Sequence, residues 1–316
     1  MCDAHAGENA VVIASEGEDS ALQTTAIAAL ERTGCNVFHV SLSPQSPDFL
    51  KHPTIAKAME QANLVVDLTG RISESPTIKE YLKSLRILVL NCGDIYNLNR
   101  LVVSSGVARR AQTLIKLSAS SKKFEIQSAV GSVLSVGLSS VQCDAETGIA
   151  AQAGQIGEWP SGVFTISADG RQINGELLLM PGDICVEARR IILTPVRLEV
   201  EEGNLIEILG DSTDANLIRT QLEAEANSDH PYLVREVSIG LNLIRTNPDE
   251  SPFDYSRLGL GRGRHGAGWC SVKIGNSMTL TLTNATAMFD SQVVCELGDL
   301  SGSIQPDPYE KNAAGI

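Results

Sequence analysis

Apolar residues recur in two different rhythms along this chain of 316 residues. Over the first third, short apolar runs at Ala10–Ala14, Asn36–Ser41, Asn63–Leu68 and Ile87–Asn91 read as strands. Between them, Asp19–Arg32, Thr54–Gln61 and Pro76–Leu85 carry helical spacing, and a longer stretch follows from about Tyr96 to Ser118. Strands alternating with helices of this length predict βαβ units and a doubly wound parallel sheet. Asp19 and Ser20 mark one helix start, and Ser75 followed by Pro76 marks another with Pro at the first helical position.

After about Ser121 short β-rich stretches separated by Gly-containing turns take over: Val133–Ser139, Val163–Ser167, Glu176–Met180, Ile191–Thr194, Val196–Val200 and Leu205–Leu209. Glu202, Gly203 and Asn204 read as the turn of a hairpin, Gly supplying the positive φ. One helix, about Asp214–Ala226, interrupts the strands before Leu233–Ile239, Ser271–Ile274, Met278–Thr283 and Gln292–Glu296. The expected organisation is α/β followed by α+β. Residues 1–122 form a Rossmann-like domain and residues 123–316 a β-rich domain, with a peripheral tail after Ser301.

Composition narrows the partners. The charge of −13, from 25 basic against 38 acidic residues, leaves no basic face for nucleic acid. No apolar run approaches the roughly 20 residues of a membrane span, and Met1–His5 shows no secretory signal, so a cytoplasmic protein is expected. The seven Cys are odd in number and form no close pair, which predicts free buried thiols rather than disulfides or a zinc knuckle.

Five His offer candidate chemistry. His5 lies near the terminus, His39 within a strand, and His52 and His230 precede Pro in turns. His265 differs, because it sits in the Gly-crowded stretch Gly259–Trp269, flanked by Arg262 and Arg264. Such crowding allows close approach of the backbone to a ligand; a plain Gly/Arg loop accounts for it equally well. The stretch follows no strand and opens no helix, so it is not a dinucleotide fingerprint, and no phosphate loop, nucleophile elbow or zinc helix occurs elsewhere. Glu236 interrupts the strand-like run Leu233–Asn242, where a carboxylate needs a counter-charge, a cation or a solvated face. Asp290 follows an apolar strand, the usual place of a turn-forming Asp.

The order of these segments carries more than any one of them. Gly154–Pro160, Ser161–Phe164, Asn174–Glu176, Glu236–Asn242, His265–Gly268 and Asp290 together resemble a superfamily. Its members are the aminopeptidase T-type metallopeptidases and the 2,5-dihydroxypyridine 5,6-dioxygenases. In the peptidase branch the resemblance implies metal ligands at Glu236, His265 and Asp290, but two further ligand positions are Val163 and Met288, which cannot bind a hard divalent ion. A dinuclear hydrolytic site is therefore not expected.

The dioxygenase branch needs one iron with a few N/O ligands and open positions. The resemblance then implies Fe(II) held by His265, Asp290 and Glu236, or with a hydroxyl of Thr286 or Ser291 completing the set. Arg262 and Arg264 would hold the substrate's carboxylate or phenolate. The expected protein is a homo-oligomeric, cytoplasmic dioxygenase that cleaves a small hydroxylated (N-hetero)aromatic ring with O₂. The alternatives are a metal-dependent hydrolase and a metal-free, non-catalytic relative.

Overall fold

The structure is a computed structural model. It describes residues 2–17, 20–43, 49–72, 75–90, 98, 105–159, 161–224, 230–243, 266–276 and 278–315. In chain order the first part holds β1 (Asn9–Ser15), α1 (Ser20–Arg32), β2 (Asn36–Leu42), α2 (Pro53–Gln61), β3 (Leu64–Asp67), the short α3 (Ile78–Tyr81), β4 (Arg86–Leu90) and α4 (Ser105–Ser120). Four strands follow, β5 (Lys123–Gln127), β6 (Val133–Gly137), β7 (Gln142–Glu146) and β8 (Ile156–Trp159). Next come β9 (Val163–Ser167), β10 (Ile173–Leu179), β11 (Ile184–Cys185), β12 (Arg190–Ile191), β13 (Val196–Glu201), β14 (Asn204–Leu209) and α5 (Thr213–Ala224). The last part holds β15 (Val234–Gly240), β16 (Cys270–Ile274), β17 (Met278–Leu282), β18 (Thr286–Phe289), β19 (Gln292–Glu296), β20 (Asp299–Leu300) and α6 (Pro308–Ala314).

Two compact units result. One comprises residues 1–101 and 146–161, the other residues 102–145 and 162–316. The change of rhythm near residue 122 therefore falls inside the second unit, between α4 and β5. In the first unit a parallel sheet runs in the order β2-β1-β3-β4-β8. β1, β3 and β4 are near-continuous apolar runs with every central residue buried, as a sheet covered on both faces requires. The predicted doubly wound sheet is present, and β8, absent from the sequence reading, supplies its fifth strand.

The second unit contains two antiparallel sheets, in the orders β14-β13-β10-β6-β5-β18-β19-β20 and β12-β11-β17-β16-β15-β9-β7. Alternating residues of both meet in one large core, where the Phe289 ring lies 4.9 Å from that of Phe124 and 5.9 Å from that of Phe164, centroid to centroid. The predicted hairpin joins β13 to β14 through Glu202 and Gly203, at φ 46° and 76°. Two positive φ values define the turn whose twist matches that of the strands.

Two expectations are corrected. Pro76 does not begin a helix to Leu85: α3 covers four residues after Thr77, whose side chain makes no capping bond, and Ile78 and Ser84 bond to carbonyls three residues back, at Ser75 and Tyr81. The tail after Ser301 is not peripheral. Asp307 and Glu310 form a reciprocal capping box with Pro308 at the first helical position, and Glu310 is buried. Among the described residues six Cys are free; Cys35, Cys185, Cys270 and Cys295 are buried as predicted, Cys2 and Cys143 are only half-buried, and Cys92 lies outside the described residues. No described helix is long and apolar enough to cross a membrane.

Candidate active site

β15 runs out through Leu241, Asn242 and Leu243, and the described chain resumes at Gly266. There the turn Gly266–Trp269 is laced to the end of β15. Ala267 N donates to Asn242 O (2.8 Å), Gly268 N to Gly240 O (3.0 Å), and Gly240 N to Trp269 O (2.8 Å). The small residues of this stretch serve close packing within the unit. A Cβ on Gly268, at φ +80°, would lie 2.0 Å from the carbonyl oxygen of Gly298. Behind the turn, the Cys295 thiol donates to Gly268 O at 2.9 Å. The Cys270 thiol is pushed well above its usual pKa by its hydrogen bond to Cys295 and by burial. Burial and the raised pKa mark Cys270 as an unreactive structural thiol.

A cavity of about 870 Å³ opens against the same turn. The turn, through Gly266, Ala267 and Trp269, lines it together with Leu243, Leu297 and Leu300. Gln305, Pro306 and Lys311 of the C-terminal segment line it too, with Thr283, Glu296, Asp299 and Ser301 adding polar atoms. Its size and its mixture of apolar wall and a few polar groups suit a small organic ligand.

The predicted site residues fall into two groups. His265, Arg262 and Arg264 lie outside the described residues. Glu236 lies on β15, half-buried, with Oε1 3.7 Å from Lys273 Nζ on the neighbouring β16. It is six residues from Asn242, about 20 Å along an extended chain from the Gly266 turn. Asp290 occupies the β18–β19 turn at φ 50°. Its Oδ1 accepts from the backbone N–H of Lys123 at 3.0 Å and of Lys122 at 3.2 Å. The Thr286 hydroxyl accepts from Leu297 N at 3.2 Å.

Among the described residues no group of three His, Cys, Asp or Glu side chains is placed to hold a metal ion. As placed, the Glu236 carboxylate is ion-paired with Lys273, and that of Asp290 accepts from the two amides that open β5. The sequence reading passed over Trp269, although it closes the stretch around His265, and over Lys311, whose helix is announced by Asp307, Pro308 and Glu310.

A parallel α/β unit joined to a pair of antiparallel sheets defines the aminopeptidase T-like fold class. The wild-type AmpT structure from Thermus thermophilus overlays with a TM-score of 0.54 at 11% identity, covering 94% of this chain and 95% of that one. The structure of 2,5-dihydroxypyridine dioxygenase from Pseudomonas putida KT2440 overlays with a TM-score of 0.74 at 21% identity, covering 93% and 92%. In sequence, the 2,5-dihydroxypyridine 5,6-dioxygenase of Pseudomonas putida KT2440 is 25% identical over 257 residues, 74% of this chain and 70% of that protein. The family model NicX, 2,5-dihydroxypyridine 5,6-dioxygenase, matches residues 1–288. The chain belongs to this dioxygenase family.

Proposed function

We propose that this protein is a ring-cleaving dioxygenase acting with O₂ on a small hydroxylated N-heteroaromatic ring of the dihydroxypyridine type. The observation that carries this reading is the family match across residues 1–288. The cavity beside the Gly266–Trp269 turn is the substrate site of this reading. An indole at its wall offers a stacking face for a planar ring, and the Lys311 ammonium offers a counter-charge for a ring oxygen. Fe(II) is the ion of the proposal and His265 its imidazole ligand, with Arg262 and Arg264 as the anchors of an acidic substrate group.

The test is O₂ consumption with 2,5-dihydroxypyridine by protein purified anaerobically and supplied with Fe(II), followed by loss of ring absorbance. Turnover by the wild type and its loss in His265→Ala support the proposal; no O₂ uptake across a panel of dihydroxypyridines rejects it.

One observation favours a second reading, a metal-free and non-catalytic family member: Glu236 and Asp290 are already engaged by Lys273 and by the Lys122 and Lys123 amides. Elemental analysis separates the two, because a silent relative neither carries nor takes up metal. The proposed homo-oligomer is tested by light scattering, where a mass of 33.7 kDa would reject it.

A further inference from the structure

We propose that Arg110 and Glu310 are positioning residues of the cavity, fixing at once the β15 terminus that carries the Gly266–Trp269 turn and the C-terminal helix that closes one side. The functional part of this proposal rests on the cavity being the substrate site.

Arg110, on α4, is completely buried. Its Nε donates to Leu241 O at 3.0 Å and its Nη1 to Glu310 Oε2 at 2.8 Å. Leu241 N in turn donates to Gly162 O at 2.7 Å, so the backbone is held on both flanks of Leu241. Its neighbours Gly240 and Asn242 carry the three backbone bonds that suspend the turn. Glu310 faces Arg110 from α6 and also receives Asp307 N at 3.1 Å. Helix α4 makes room for that carboxylate at Gly106, where a Cβ would lie 1.8 Å from Glu310 Oε1. The adjacent Arg109 donates to Gln305 O at 3.2 Å. Leu243, Ala267 and Ala314 pack together under the helix. One guanidinium thus ties together two elements that line the cavity, the β15 terminus with its turn and the segment that carries Lys311. A displacement of about 1 Å at a binding surface can cost up to roughly 10²-fold in kcat/KM, so these contacts place the walls that receive substrate without touching it.

Glu310→Gln, Gly106→Ala, Arg110→Lys and the apolar double variant Arg110→Met/Glu310→Leu test this. Glu310→Gln and Gly106→Ala are expected to undock α6, raising trypsin cleavage at Lys311 at least about tenfold. Arg110→Lys keeps a charge for Glu310 but lacks the guanidinium fork. It should leave cleavage within about twofold of wild type while raising KM for 2,5-dihydroxypyridine about tenfold, with kcat changed less. The double variant should fold as stably as wild type and show the same KM defect. Two variants of wild-type stability and wild-type KM would reduce the pair to a structural staple and overturn the proposal.

Inactivity of the wild type towards 2,5-dihydroxypyridine would remove the functional reading alone. The positioning claim is then read from amide exchange at Ala267 and Gly268 and from acrylamide quenching of Trp269 in a Trp159→Phe background. Both should rise at least about fivefold in Arg110→Lys, and unchanged values would sink it.

Discussion

Asp67 and Glu310 are both buried carboxylates, yet they organise the molecule over very different ranges. Asp67 ends β3 in the parallel unit and accepts from Thr69 N at 2.9 Å, Thr69 Oγ1 at 2.7 Å and Ile72 N at 2.9 Å. Its partners lie within five residues, so it shapes one turn and nothing beyond it. Glu310 accepts from Arg110, 200 residues away in sequence. The first kind of group can be replaced in a local rearrangement. The second, removed alone, leaves a buried charge unpaired between elements that meet only in the finished fold.

Urea unfolding of the whole chain can break or sharpen that contrast. Glu310→Gln should cost most, about 3–5 kcal/mol, because it leaves Arg110 charged and buried without its partner. A loss under about 1 kcal/mol would show that the clasp matters no more than a surface pair.

Next in size are Asp67→Asn and Asp214→Asn, each expected to change stability by about 1–3 kcal/mol and to alter its pH dependence in opposite senses. Burial pushes the Asp67 carboxyl above its usual range, more than the bonds from Thr69 and Ile72 lower it. Its contribution is therefore present below about pH 4 and lost as pH rises through the raised value. Asp214 is also pushed up by burial. The amides of Leu193 and Thr194, the Thr194 hydroxyl and the Arg190 charge outweigh that and hold it low. Its contribution is present above about pH 4 and lost as pH falls. Unfolding midpoints between about pH 3 and pH 6 should lose one slope in each variant, and slopes of the same sign would refute the assignment.

Asp307→Ala removes the cap of α6 and should cost about 1 kcal/mol, seen as faster amide exchange confined to the C-terminal helix. Lys273→Ala, breaking a half-exposed pair with Glu236, should cost under about 1 kcal/mol. A gain of metal affinity in that variant would return Glu236 to the list of ligands.

The same difference of range explains what could be read in advance. The parallel sheet follows from apolar runs and helical spacing within each βαβ unit, and the β13–β14 turn from Gly203; both signals span a few residues. The signal for the C-terminal helix is equally local, in Asp307, Pro308 and Glu310, but the Pro and Gly of the tail after Ser301 point to a peripheral end instead. β8 was illegible for a physical reason. Four residues including Gly157 and Glu158 make a weak strand until β4 pairs with them. Chain order brought Glu236, His265 and Asp290 together as candidates. It carries no information on whether a carboxylate's oxygens are already taken by Lys273, or by the amides that open β5.

The excursion between β4 and β8 also matters while the protein is being made. Leu90 ends one strand and Ile156 begins its neighbour, 66 residues later, after residues 102–145 have gone to the other unit. At a synthesis rate of about 5–20 residues per second, β4 leaves the ribosome roughly 3–13 s before its partner exists. During that interval Ile87–Leu90 is an apolar, unpaired edge of the kind that captures other chains. Translation speed across residues 91–155 should therefore govern how much soluble protein a cell obtains, with slower passage giving more aggregate at equal message level.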